Sequence, residues 1–236
     1  MQKISNLINT AIIFTAYLFG MILFSKLISD IIISTLIFNI ILISIYIIYN
    51  KKKGNEIEFT KLDNKNIILM GSIFLILILL SNNISAYILM NVKDNAFNSY
   101  ANTLTNSNTI LVIISALIIS PIAEEIFFRG IIFKYLRKDF SFIFATIISV
   151  SCFALMHGTI IHIVPAVIMG TLFCEIYEYT KDIKYNIFFH MLYNILIMSI
   201  GAISFITNKY LIIICGILSL TLLVMYGKYI IDYENR

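Results

Sequence analysis

From Ile8 to Phe24 the chain runs seventeen residues without a charged side chain, and stretches of this kind recur along nearly its whole length. A bilayer crossing takes about 20 consecutive apolar residues as a helix, so the pattern reads as a series of transmembrane spans. Only 13% of the 236 residues are charged and 60% are hydrophobic, whereas soluble domains carry about 25% charged residues. The expected fold class is therefore all-α, a polytopic transmembrane helix bundle of about eight helices. Residues 1–236 form a single integral membrane domain with no room for a soluble one beside it.

The apolar windows predict helices near 7–26, 31–49, 67–91, 109–135, 140–157, 160–180, 183–204 and 209–230. Ser81, Asn82 and Asn83 are a candidate break in the third. Segments 50–66 and 92–108 read as polar loops, the first dividing an N-terminal helix pair (residues 1–66 with the loop) from the remainder. Lys3 followed by an apolar stretch resembles a signal peptide, but no small-residue cleavage site follows, so an uncleaved first span is expected. Counted on alternate sides of these spans, Lys and Arg divide 13 against 3, with Arg129 left inside the membrane. That asymmetry predicts a cell-membrane protein with both termini cytoplasmic. Frequent Ile, Asn and Lys point to an AT-rich bacterial genome. The net charge of +4 is spread over loops and makes no nucleic-acid patch. Cys152, Cys174 and Cys215 stand apart in apolar runs and read as small hydrophobes. Pro121 and Pro165 each fall inside a predicted helix and are candidate kinks.

Against this background six polar residues need a reason: Glu124, Glu125 and Arg129 in PIAEEIFFRG, His157 in FALMHG, and His190 and Asn194 in FFHMLYN. A charged side chain at mid-bilayer costs about 2.5–3.5 kcal/mol on insertion scales, so its default reading is functional. Glu125 and Arg129 are four apart and share a helix face, which suits a structural ion pair. Glu124, turned about 100° away, is left to face a cavity. Phe153 lies four residues before His157 and can fix its ring. His190 and Asn194 project together as donors, either for an oxyanion or as interhelical glue. His162, among Ile and Val, reads as structural.

Two chemistries fit this set. A glutamate and a histidine could activate water for metal-free hydrolysis, or Glu124, His157 and His190 could ligate zinc and leave a position for water, although their spacing is not that of HExxH. Intramembrane acids and histidines also serve transporters as proton relays. At about 1.5 Å per residue from the presumed cytoplasmic ends, Glu124 lies about 15 Å deep, His157 about 26 Å and His190 about 9 Å. Straight, parallel helices would keep them apart.

The three pieces, EExxxR at Glu124, Glu125 and Arg129, FxxxH at Phe153 and His157, and HxxxN at His190 and Asn194, resemble in type and order the motifs of the CPBP family. That family comprises type II CAAX prenyl proteases and bacteriocin-processing or immunity proteins. The resemblance covers roughly residues 109–204 and implies an intramembrane endopeptidase without a cofactor. In it Glu124 and His157 would activate water, His190 and Asn194 would stabilise the oxyanion, and Glu125, Arg129 and Phe153 would support them. It implies a peptide or membrane-protein substrate met in the lipid bilayer, with a bacteriocin or pheromone peptide favoured over a prenylated protein. A non-catalytic immunity protein that sequesters a peptide is the alternative within the same fold.

Overall fold

The computed structural model describes residues 2–52 and 64–201, together with Ile214, Ile217 and Thr221. It is a polytopic all-α bundle, with no strand among the described residues. The helices are α1 (Gln2–Leu27), α2 (Ile31–Lys52), α3 (Asn64–Asn91), α4 (Asn95–Asn106), α5 (Thr109–Leu136), α6 (Phe142–Leu155), α7 (Ile160–Thr180) and α8 (Ile183–Gly201). Among the described residues five helices are long and apolar enough to cross a membrane: Lys3–Leu27, Ile31–Lys52, Met70–Asn91, Thr109–Leu136 and Ile160–Thr180. The expected helix 209–230, and Cys215 with it, lies outside the described residues.

Three expectations are corrected. The Ser81–Asn83 stretch does not break α3, because Asn83 turns its side-chain amide onto the Leu79 carbonyl of its own helix at 2.7 Å. The segment 92–108 is not a simple loop but holds α4. Its Asn, Ser and Thr residues lower helix propensity, yet Asp94 caps it by accepting from the Phe97 N–H at 2.9 Å, and Phe97 and Tyr100 rest edge-on against His162 of α7. Thirdly, α6 ends at Leu155, so His157 stands in a turn rather than on a helix. Gly158 at φ +66° makes that turn, in the left-handed region where a side chain would be strained.

The centre of the bundle is α7. Its Ala166, Cys174 and Tyr177 join a core with Phe127, Phe128, Ile132, Phe133, Val150 and Phe153 of α5 and α6. Its Met169, Leu172, Phe173 and Ile176 join a second core with Ile73, Phe74, Leu77 and Phe189 of α3 and α8. A helix covered on both sides needs no polar stripe. The N-terminal pair packs against α5 through Tyr17 stacked on Phe127, with ring centroids 4.0 Å apart, and through Asn39 donating to Ser120 at 3.1 Å. Exposed Ile8, Ile12, Phe19, Ile45 and Ile48 on α1 and α2 face outward, as lipid contact requires.

Helix α5, which carries the glutamates, is not a uniform α-helix. Two π-helical stretches, Ser115–Ile119 and Ile126–Phe133, flank the α-helical turn Ser120–Glu125. At the first, the Ser120 N–H donates back five residues to Ser115. The next bond in that register would need an N–H from residue 121, and proline has none. The Ala116 carbonyl so released accepts instead from Asn194 of α8 at 2.8 Å. Pro165 acts alike on α7: it cannot donate to the Ile161 carbonyl, which accepts from the Ser85 hydroxyl of α3 at 3.3 Å. In hydrocarbon a bare carbonyl is costly, and a side chain from another helix supplies each missing donor.

Candidate active site

Glu125 and Arg129 are completely buried and paired, with Nη1 donating to Oε1 at 2.8 Å. An unaccompanied pair would not offset the cost of desolvating both charges, and this one has company. The second arm of Arg129 donates to the Gly170 carbonyl at 2.9 Å, and the guanidinium lies over the Phe153 ring at 4.5 Å and near the Phe173 ring at 5.3 Å. Gly170 allows this approach, since a Cβ there would stand 3.1 Å from both Arg129 Nη2 and Phe153 Cδ1. His190 Nδ1 donates to Glu125 Oε1 at 2.8 Å, and Asn186 Nδ2 donates to Glu125 Oε2 at 3.3 Å. Glu125 is thus held by three donors from two helices.

Glu124, its neighbour in sequence, lives differently. Its side chain keeps 25% of its surface exposed, against 0% for Glu125. Among the described residues its ion-pair partner is His190 Nε2 at 3.8 Å, too long for a direct hydrogen bond.

The histidines have assignable tautomers. Because the Glu125 carboxylate can only accept, His190 carries a proton on Nδ1 and presents Nε2 toward Glu124. His157 Nδ1 donates to the Phe153 carbonyl at 2.9 Å, which leaves Nε2 as its lone-pair nitrogen when neutral. Phe153 joins the two sides of the site: its ring meets His157 edge-on at 4.7 Å and His190 at 5.9 Å. Phe173 stacks on the other side of His190 at 5.0 Å.

Sequence depth alone separated Glu124, His157 and His190 by about 6 to 17 Å, but the helices are not straight and parallel. The short α6 ends before His157, the Gly158 turn follows, and α5 is expanded by π-helical stretches, so Glu124, Glu125, Arg129, Phe153, His157 and His190 share one region. The pairing also differs from the sequence reading. Among the described residues no hydrogen bond or ion pair joins Glu124 directly to His157; His190 is the imidazole beside Glu124. Asn194 uses one amide N–H on the Ala116 carbonyl, so only its other N–H is free for an oxyanion. Among the described residues no three His, Cys, Asp or Glu side chains are grouped as a metal site.

Three contributors escaped the sequence reading. Asn186 is fully buried and donates to the Phe173 carbonyl at 2.6 Å as well as to Glu125. The signal was present as NxxxHxxxN, residues 186, 190 and 194 on one helical face. Gly170 offers a backbone oxygen, which no side-chain motif reveals. Asp94 uses its second oxygen to accept from the Ile160 N–H at 3.0 Å, tying α4 to the turn that carries His157.

Comparison with known proteins adds to this geometry. Residues 106–196 match the family described as type II CAAX prenyl endopeptidase Rce1-like. A curated protein of Bacillus subtilis (strain 168), named "Putative membrane peptidase YdiL", is 40% identical over 84 residues. That match spans 36% of this chain and 34% of the relative, so the two are alike over about a third of each. No solved structure matches the chain. The matched residues 106–196 hold both site glutamates, both site histidines and Asn194, so the similarity to the Rce1-like type II CAAX prenyl endopeptidases falls on the same stretch as the three motifs that resemble the CPBP family.

Proposed function

We propose that this protein is an intramembrane endopeptidase that hydrolyses a peptide bond of a membrane-associated peptide or protein with a water activated by Glu124. The observation that carries the reading is the contrast between adjacent acids. Glu125 is held by Arg129, His190 and Asn186, whereas Glu124 is partly open and, among the described residues, has one ion-pair contact, with His190 Nε2 at 3.8 Å. The match of residues 106–196 to an endopeptidase family, and the peptidase name of a relative, support it.

The proposed step begins with Glu124 ionised and a second proton on the His190 ring, at Nε2. With that proton on His190, Glu124 takes a proton from water that also hydrogen-bonds to His157 Nε2, and the hydroxide adds to the scissile carbonyl carbon. His190 Nε2–H and the second Asn194 N–H donate to the oxyanion. As the C–N bond breaks, Glu124 passes its proton to the leaving nitrogen. Glu125, Arg129 and Phe153 hold the frame. The proposal includes cytoplasmic termini, which the distribution of basic residues favours, and a bacteriocin or pheromone peptide as substrate.

The test is cleavage of membrane peptides by the purified protein in detergent. Glu124→Gln and His157→Ala are expected to lower kcat by about 10²-fold or more, the scale of a lost general acid–base group. Equal turnover in all variants sinks the assignment. Activity removed by a chelator and restored by zinc would put a metal at Glu124, His157 and His190. Biological protection without cleavage in any variant would mean that the protein sequesters its peptide.

A further inference from the structure

We infer that Asn186 is a positioning residue for the site, holding the Glu125 carboxylate in the one orientation that fixes the His190 imidazole. The inference rests on the peptidase reading for its effect on turnover, but not for its structural content.

Asn186 is completely buried on the α8 face that also carries His190 and Asn194. Its Nδ2 donates to two groups that can only accept, the Phe173 carbonyl at 2.6 Å and Glu125 Oε2 at 3.3 Å. The amide therefore cannot be flipped without setting its oxygen against two acceptors. The Phe173 bond anchors the amide to α7, and the Glu125 bond carries that anchor to the carboxylate. With Oε2 held, Oε1 points to Arg129 and His190 together, each at 2.8 Å. A carboxylate with one oxygen unheld can rotate about its terminal bond, whose torsional wells are broad. Arg129 alone would not prevent this, because its other arm is committed to Gly170. Rotation would loosen the His190 Nδ1–H bond and with it the direction in which Nε2 faces Glu124.

The chain has three histidines, His157, His162 and His190, so nitrogen-15 labelling of histidine gives three imidazoles to follow by NMR in detergent. In wild type the His190 Nδ1–H resonance, assigned by its loss in His190→Ala, should show a strong hydrogen bond. In Asn186→Leu, of similar size, that resonance should shift or broaden while those of His157 and His162 stay, which also reports a folded protein. Asn186→Ala, which removes the donor without adding branches, should move the same resonance. Turnover should fall about tenfold or more in kcat with KM within about twofold, as misorientation predicts. An unchanged His190 resonance in either folded variant, or a loss carried by KM, overturns the inference. A wild type that cleaves nothing but shows the expected NMR response would remove the peptidase reading and leave the positioning role standing.

Discussion

Replacing Gly170 with alanine sets helix propensity against packing, and the structure decides between them. Removing a helical glycine stabilises by about 1 kcal/mol. The new Cβ, however, would stand 3.1 Å from Arg129 Nη2, 3.1 Å from Phe153 Cδ1 and 3.5 Å from Val150 Cγ1, where optimal carbon contacts lie at about 3.5–4.0 Å. Neither close neighbour yields cheaply. Arg129 is bonded at 2.8 Å to Glu125 and at 2.9 Å to Gly170 itself, and Phe153 is wedged among Phe128, His157 and His190. Overpacking a filled site costs about 1–3 kcal/mol, so the net loss should be about 0–2 kcal/mol. Function should suffer more. Displacing Phe153 by about half an ångström carries His157 with it, and since a 1 Å error can cost about 10²-fold, kcat should drop about tenfold. Gly170→Val, with two further methyls, should be worse on both counts. The assay pairs thermal unfolding in detergent with peptide cleavage. A Gly170→Ala protein that is both more stable and fully active would show that the Arg129–Phe153 contact is compliant and the reasoning wrong.

Further outcomes can be checked on the same preparations. Asn194→Ala bares the Ala116 carbonyl and should cost about 1–3 kcal/mol; adding Pro121→Ala supplies the missing N–H and should return part of it, whereas equal losses with and without the second change would refute the pairing. Asp94→Ala removes the acceptor from two helix starts at about 0.5–2 kcal/mol each. It should speed hydrogen exchange in residues 95–106 and 157–162, and an unaltered exchange pattern would count against the tie between α4 and the His157 turn.

The fold class and most spans were legible because hydrophobic run length is a local property. The Glu125–Arg129 pair was legible too, being four residues apart on one helix face. What sequence could not show was set by tertiary bonds. The polar composition of 92–108 hid α4, whose order comes from the Asp94 cap and from Phe97 and Tyr100 on His162. His157 was placed on a helix because FxxxH has helical spacing, while Gly158 takes the chain into a turn. The pairing of His190 with the glutamates depends on the π-helical stretches of α5 and on how α8 docks. Asn186 was overlooked for want of a charged neighbour in sequence, since its partner Glu125 lies 61 residues away.

The two prolines have a consequence for how the bundle assembles. Each leaves a carbonyl without a donor in a region where lipid offers none, and each carbonyl is served from one position on another helix, Asn194 for Ala116 and Ser85 for Ile161. Sliding α8 or α3 by a single turn, about 5.4 Å, would bring Met198 or Leu89 to the donor's place in one direction, and in the other would bring His190 or Ser81 there only by taking each from its own partner, Glu125 or Tyr193. Apolar helix faces match their neighbours at many depths, but these two bonds match at one. They act as depth gauges, selecting vertical register during assembly and so delivering Glu124 and His190 to the same level of the membrane.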